Sequence, residues 1–487
     1  MEKKFKIDTF KLFLIACFLF SLFIATDPVW DNDAWWHIET GKYIVENKIV
    51  PKTDIFSFYG IENNFKWIAH EWLSDVVLYG FYYIGGFQGL VLYPIVLLFF
   101  TMFVLYLTIK EKINDNFIIG FICFYFTGLI LAVFSATRPH MFSFLLFALT
   151  IYILQQFQED KNTKLVWFLP LLSMLWVNFH GGSSALLFVM IVFTIIFNLI
   201  SLKIGRLETI RFPFSKIKTL FYVFLASIGA ALINPYGYEM LIYPFHNMAD
   251  SLMLSSIIEW QSPDFHTPEG IIVFVILSIP VVISLISNKK LSVYELVIMG
   301  AFAFLTLKSI RQVTYYAMAT LPISINHLLK SKFLEEGQFK VTKFNSILNT
   351  TFVIFAICLF TFNLYSTFKE PVNLEDYPYN AIPVIEEYQP KRLFNHYNWG
   401  GFLIFNLNEE GIHNFIDGRA DIFSPTILKD YSKIHNMSTN WEDSFEKFNF
   451  DSVLFPSNSL LIRHLLNTGE WEVKHTDDLS TFLIRKN

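Results

Sequence analysis

Apolar runs close to the ~20 residues needed to cross a bilayer recur along the chain and predict about eleven membrane spans. They lie near Phe10–Thr26, Phe87–Ile109, Phe117–Ala136, Met141–Phe157, Leu165–Val177, Ala185–Leu202, Leu220–Ile233, Ile271–Ile286, Leu291–Leu307, Gln312–Leu329 and Ile347–Phe362. Lys3, Lys4 and Lys6 precede the first span. Lys110 and Lys112, Lys161 and Lys164, the basic stretch 203–218, Lys289 and Lys290, and residues 330–343 fill alternate loops. The bias of basic residues towards the cytoplasm assigns those loops to the inside. The opposite loops include residues 27–86, with nine acidic residues against four lysines, and residues 234–270, with five acidic residues and no Lys or Arg. The amino terminus is therefore expected inside and the tail, from about Ser366, outside.

Shorter periodicities organise what lies outside the spans. In the first outer loop the spacing predicts two juxtamembrane helices, Asp33–Glu46 and His70–Tyr83. Glu71, Ser74, Asp75 and Tyr82 share a face opposite Val76, Val77 and Ile84, as in a helix lying in the interface. Two such helices would frame a cavity. In the tail the apolar runs shrink to strand length at Arg392–Asn395, Asn414–Ile416, Ser452–Phe455, Trp471–His475 and Thr481–Arg485, between helical stretches near Ser424–Ile434, Trp441–Phe448 and Ser459–Asn467. The expected fold is an α-helical polytopic membrane domain, residues 1–365, followed by a small extracytoplasmic α/β domain, residues 366–487.

Composition agrees with a multi-pass protein of the plasma (inner) membrane: 54% of residues are hydrophobic and 18% aromatic, above the roughly 45–50% apolar content of soluble domains. A net charge of −5 gives no basic excess for nucleic acid. Cys17, Cys123 and Cys358 all sit in apolar runs, which suggests neither a disulfide framework nor a thiolate metal site. The basic start and apolar core of residues 1–26 resemble a signal peptide, but Thr26-Asp27-Pro28 is a poor cleavage site, so the segment reads as a retained anchor.

Polar residues at the outer ends of spans carry the candidate chemistry, because ionisable groups at membrane depth are costly and usually face a cavity or pathway. Asp31, Asn32 and Asp33 follow the first span directly. Asp33 suits a helix N-cap. The functional alternatives are a carboxylate that takes a proton from an acceptor hydroxyl, or an Asp31–Asp33 pair that holds a divalent cation such as Mg²⁺ or Mn²⁺. Trp35 and Trp36 fit an interfacial aromatic belt. His37, His70 and Glu71 could supply a second acid or a ligand, although Glu71 could equally begin the second surface helix. Arg138 and Arg311 lie on the outer side against the positive-inside trend, and a planar guanidinium suits a phosphate clamp; snorkelling to lipid is the plainer reading. His180 stands in a polar break with Asn178, Gly181 and Gly182, and Glu259 could be a further carboxylate or merely solvated. Asp417, Arg419 and Asp421 read first as a turn with an internal ion pair. Walker, dinucleotide, His-Glu-x-x-His and paired-Cys motifs do not occur.

Asp31-Asn-Asp-Ala-Trp-Trp-His37, Pro51-Lys-Thr-Asp54-Ile-Phe-Ser57, His70-Glu-Trp72, Arg138-Pro-His-Met-Phe-Ser143, Asn178-Phe-His-Gly-Gly182, Asn234-Pro-Tyr-Gly237, Glu259-Trp260 and Phe415-Ile-Asp-Gly-Arg-Ala-Asp421 together resemble a bacterial group within the GT-C superfamily of integral membrane glycosyltransferases. The resemblance implies inverting transfer of a sugar from a polyprenyl-phosphate carrier to a glycan, lipid or protein acceptor at the outer membrane face. Asp31 or Asp33 would match the family's first-loop acidic residue, and Arg138 or Arg311 would meet the lipid phosphate. The Trp-Trp-Asp-Tyr-Gly signature of oligosaccharyltransferase catalytic subunits is absent, which argues against transfer of a whole glycan to Asn. A flippase for lipid-linked glycans and a non-catalytic envelope assembly protein are the competing readings.

Overall fold

A computed structural model describes residues 9–113, 117–247, 258–331, 346–423 and 425–486. Its contacts separate two compact units: residues 1–27 with 91–369, and residues 28–90 with 370–487.

In the first unit, every predicted span contains a helix. Among the described residues five helices are long and apolar enough to cross a membrane: Trp72–Ile113, His140–Gln158, Phe214–Ala231, Pro268–Ile286 and Thr351–Lys369. Thr9–Ile24, Phe117–Val133, Leu169–Phe179, Ala185–Ile196, Val293–Lys308 and Val313–Leu328 are shorter apolar helices at the remaining span positions. Polar side chains fasten them. The Asn363 amide donates to the carbonyls of Phe23 and Thr26 at 3.1 and 2.9 Å, tying the last apolar helix to the first; such interhelical bonds replace the hydrophobic drive that lipid removes. Ser292 and Glu295 form a reciprocal capping box at the start of Val293–Lys308. β1 (Leu202–Ile204) and β2 (Leu207–Thr209), which were not predicted, pair as an antiparallel hairpin in the basic loop, with Gly205 at φ +56°. Strands of three residues are too short to show a period. The predicted outer loop 234–270 includes the helix Glu239–Asn247 and a 3-10 turn at Ile258–Trp260; its residues 248–257 lie outside the described residues.

The second unit joins segments far apart in sequence. The tail forms a four-stranded sheet from β3 (Leu393–Asn395), β4 (Ser452–Pro456), β5 (Trp471–Thr476) and β6 (Ser480–Arg485), in the order β3-β4-β6-β5. β3 runs parallel to β4, and β6 is antiparallel to both of its neighbours. The predicted helices appear as Pro425–Asn436, Trp441–Lys447 and Leu460–Thr468. The stretch 414–416 is no strand; Asn414 makes only isolated bridges, to Ser57 and Leu393. Two short helices, Ile382–Tyr388 and Gly400–Leu407, were not anticipated.

The first outer loop supplies part of this unit's core. Phe58 packs with Phe394, Phe415 and Phe450, and Trp35 with Tyr377, Phe402 and Leu454. Trp35 and Trp36 are 2% and 7% exposed, so they are core residues and not an aromatic belt. Arg392 grips Glu62 with two bonds of 2.7 and 2.8 Å. The two predicted loop helices exist: Ala34–Asn47, and a second that starts at Trp72. The second is separated from the helix that follows it by a non-helical residue. It bends at Gly86, whose φ of +57° and ψ of −145° a side chain would oppose, and helical structure resumes to Ile113.

Candidate active site

The Asp31–Asp33 triplet begins the helix Ala34–Asn47. Asp33 occupies the N-cap position, yet its carboxylate makes no capping bond; its Oδ1 instead accepts the Trp36 indole N–H at 3.2 Å. Asp31, 2% exposed, accepts the Asp33 backbone N–H on Oδ1 at 2.9 Å. The two carboxylates thus have different surroundings: Asp31 is buried and shapes the turn, while Asp33 is half-buried and oriented by Trp36. The chain at Gly418 closes over this point, since a Cβ on Gly418 would fall 1.9 Å from Asp33 Oδ1. At Gly401 a Cβ would meet the Asn32 carbonyl at 2.5 Å. Both glycines are required by close approach.

One helical turn beyond Asp33, His37 faces the second loop helix. Gly41, another turn on, makes this crossing feasible, because a Cβ there would lie 2.0 Å from the Asp75 carbonyl. Across the crossing His37 Nδ1 and Asp75 Oδ1 are 2.6 Å apart, both buried. Glu71 Oε2 stands 3.7 Å from His37 Nε2, Glu71 Oε1 is 3.4 Å from His70 Nε2, and His70 Nδ1 is 4.0 Å from Asp421 Oδ2. Asp75, Glu71, His37, His70 and Asp421 therefore form one chain of alternating acid and imidazole. Burial opposes charge on His37, but Asp75, Glu71 and Asp33 outweigh it and raise its pKa. Burial raises Asp75 to about 6 against the pull of His37. Burial also opposes the charged form of His70, yet Glu71, Asp421 and Asp75 lift it to about 9.

A raised histidine stabilises the fold fully below its unfolded pKa and loses that contribution as pH rises through the folded value. For His70 the window runs from about 6.5 to about 9. His70→Gln is expected to be less stable than wild type at pH 6, with the gap closing towards pH 9 to 10. Thermal unfolding of both proteins across that range is the measurement; a gap that does not narrow rules the assignment out.

Next to this chain lies a fully buried ion triad. Arg419 binds Asp417 through Nε and one terminal nitrogen at 2.8 and 2.7 Å and Asp54 through the other at 2.8 Å. Its guanidinium lies against Phe56 and Trp67, with ring centroids 4.9 and 4.7 Å away. Burial would raise Asp54, but Arg419, the Ser57 hydroxyl and the Phe56 N–H hold it below the usual carboxylate range. The Asp417–Arg419 turn is thus structural, whereas its neighbours Gly418 and Asp421 touch the acidic chain.

The other candidate residues belong to the first unit. Arg138 pairs with Glu259 at 3.4 Å. Arg311 stacks on Trp260 at 4.1 Å, and the turn between them is tied by Ser309 Oγ donating to the Glu259 carbonyl at 3.0 Å and Ile310 N–H to the Gln261 carbonyl at 3.0 Å. Glu259-Trp260 thus sets both arginines. His180 is buried, with Nδ1 2.6 Å from the Ser143 hydroxyl, which also accepts the Trp176 indole N–H at 2.8 Å. Sequence reasoning missed Asp75, Asp421 and Gly418 as site members. The i,i+4 spacing of Glu71 and Asp75 was a usable signal for the first, but Gly418 and Asp421 are placed by tertiary packing alone.

As a potential cation site, the Asp31–Asp33 pair has one oxygen of each carboxylate already accepting a hydrogen bond. Among the described residues no group of three or more His, Cys, Asp or Glu side chains is arranged to hold a metal ion.

The architecture, mostly helical with several apolar helices and a small C-terminal sheet region, is similar in fold to solved oligosaccharyltransferase structures. The solved structures it matches include the archaeal oligosaccharyltransferase AglB of Archaeoglobus fulgidus in complex with an inhibitory peptide and a dolichol-phosphate. That match covers 93% of this chain and 69% of the other, at 11% identity and a TM-score of 0.55. A crystal structure of the Archaeoglobus fulgidus oligosaccharyltransferase in complex with Zn and sulfate matches over 91% and 68%, at 11% identity and a TM-score of 0.50. At such identity the likeness is one of fold. No protein-family profile and no curated protein matches the sequence.

Proposed function

We propose that this protein is a membrane glycosyltransferase that moves a sugar from a polyprenyl-phosphate donor to a glycan, lipid or protein acceptor, with inversion. In this reading it resides in the inner membrane, its amino terminus faces the cytoplasm, and the tail and both acidic loops face outward. The GT-C-type fold supports the class, as does the dolichol-phosphate bound by AglB. The observation that carries the reading is Asp33: a carboxylate at a helix N-cap that does not cap, held instead by the Trp36 side chain.

Asp33 is the base. An acceptor hydroxyl attacks the anomeric carbon as its proton passes to Asp33; the carbon–oxygen bond to phosphate breaks, and the polyprenyl phosphate leaves as an anion. Asp31 positions Asp33 through its backbone N–H. His37, hydrogen-bonded to Asp75, and His70, beside Glu71, line up next to the carboxylates as an acid–imidazole chain. In the other unit, Arg311, stacked on Trp260, and Arg138, paired with Glu259, are the guanidinium groups suited to a phosphate.

The test is transfer from a radiolabelled polyprenyl-phosphate sugar by the full-length protein in nanodiscs. Arg311→Ala is expected to weaken use of the donor by roughly 10- to 100-fold, the range of one charge-assisted hydrogen bond of ~1.5–3 kcal/mol. The effect should appear in kcat/KM for donor and not for acceptor. Unchanged donor kinetics remove Arg311 from the phosphate site, and no transfer or donor hydrolysis from any polyprenyl-phosphate sugar rejects the function.

A further inference from the structure

We infer that a second cleft, wholly within the unit formed by residues 28–90 and 370–487, is a subsite for a neutral pyranose ring of the acceptor glycan. Its role as an acceptor site rests on the transferase reading; sugar binding itself does not. The cleft has a volume of about 400 Å³, within the ~300–1,000 Å³ usual for small-molecule sites. Trp30, Asn32, Asp376, His396, Asn398 and Trp399 contribute to its wall.

Those side chains match the two faces of a sugar. A pyranose ring presents an apolar C–H surface and a rim of vicinal hydroxyls. Trp30 is 56% exposed although Trp is among the most apolar side chains, and it offers a flat ring to the first. Trp399 is buried and fixed by its indole N–H to the Asp376 carbonyl at 2.9 Å. For the hydroxyls, the amides of Asn32 and Asn398 and the carboxylate of Asp376 supply paired donors and acceptors. The Asn32 amide is oriented by the Tyr377 hydroxyl, which donates to its Oδ1 at 2.8 Å. His396 Nδ1 has no hydrogen-bond partner among the described residues, and burial, together with His435, pushes the ring down to about 4. The neutral imidazole keeps one donor and one acceptor.

Charge narrows the ligand further. No Lys or Arg lines the cleft and Asp376 does, so phosphate and uronic acid are repelled while uncharged hexoses and N-acetylhexosamines are accepted. The position is also telling. Asn32 lines the cleft and is the sequence neighbour of Asp33, so the subsite and the proposed base are carried by the same turn of chain.

Binding is read by applying labelled full-length protein in nanodiscs, without donor, to an array of mono- and disaccharides with hexose, N-acetylhexosamine, deoxyhexose and uronic acid units. Binding to neutral sugars is expected, reduced about tenfold in Trp30→Ala, retained in Trp30→Phe, and weakened in Asp376→Asn. Binding to no neutral sugar, preference for uronic acids, or neutral-sugar binding unaffected by Trp30→Ala overturns the inference. Sugar binding without transfer overturns the transferase reading alone. Transfer without sugar binding overturns the subsite alone.

Discussion

Asp33→Asn is expected to lower sugar transfer by about 10²- to 10⁴-fold, the range for loss of a positioned general base, while the protein inserts and folds as wild type. An Asn at this position keeps the acceptor oxygen for the Trp36 indole N–H, so the turn survives and only basicity is lost. Asp31→Asn tests the separation of roles. Its amide oxygen still accepts the Asp33 N–H, so activity should fall by far less. Both variants are compared by single-turnover transfer in nanodiscs, with donor binding measured alongside. Wild-type rates in Asp33→Asn, or equal losses in both variants, would falsify the division between base and positioning residue.

The second large effect concerns stability. Arg419→Met should destabilise the unit containing the tail by about 3–5 kcal/mol, because removing one partner from a buried ion group leaves the others uncompensated. Asp54 and Asp417 would then stand buried without their cation. In wild type, the depressed pKa of Asp54 means that its stabilisation is present above the ordinary carboxylate value of 3.8 and is lost as pH falls through the lower folded value. In the variant, protonation relieves the orphaned carboxylates, so the penalty should be greatest at neutral pH and shrink in acid. Hydrogen exchange at β3 and β4 reports it in the full-length protein. If protection there matches wild type at pH 7, the triad does not hold the unit. The triple change Asp54→Asn, Asp417→Asn and Arg419→Met, which leaves no buried charge, should recover part of the loss.

The helices at the predicted span positions were legible because a long apolar run has one stable conformation in lipid, and five of those described are long and apolar enough to cross a membrane. The tail strands at 393–395, 452–456, 471–476 and 480–485 were legible because short apolar runs ended at Gly, Asn and Asp. Ile382–Tyr388 and Gly400–Leu407 were not: one is very short, and the other opens with two glycines that speak against a helix. Gly400 and Gly401 stand where Ile416, Asp417 and Asn32 come too close for a Cβ, a tertiary demand that a local pattern cannot reveal. The same limit applied to the site. The acidic triplet, His37, His70 and Glu71 stood out as polar residues beside a predicted span, but the contacts each of them makes depend on which helix face crosses which. Trp35 misled for a related reason, since a tryptophan beside a span suits a lipid interface and a protein core equally well.

Because the loop at residues 28–90 and the tail at 370–487 build one hydrophobic core, this unit cannot be completed while the chain is still being made. Roughly 280 residues separate its halves, which at roughly 5–20 residues per second means that Trp35, Phe56 and Phe58 wait on the order of 15–60 s for their partners. During that interval a cluster of large aromatics and the buried acids Asp31, Asp54 and Asp75 stand exposed beside the membrane. A nascent protein of this design is expected to need a holding factor until residues 370–487 have been made.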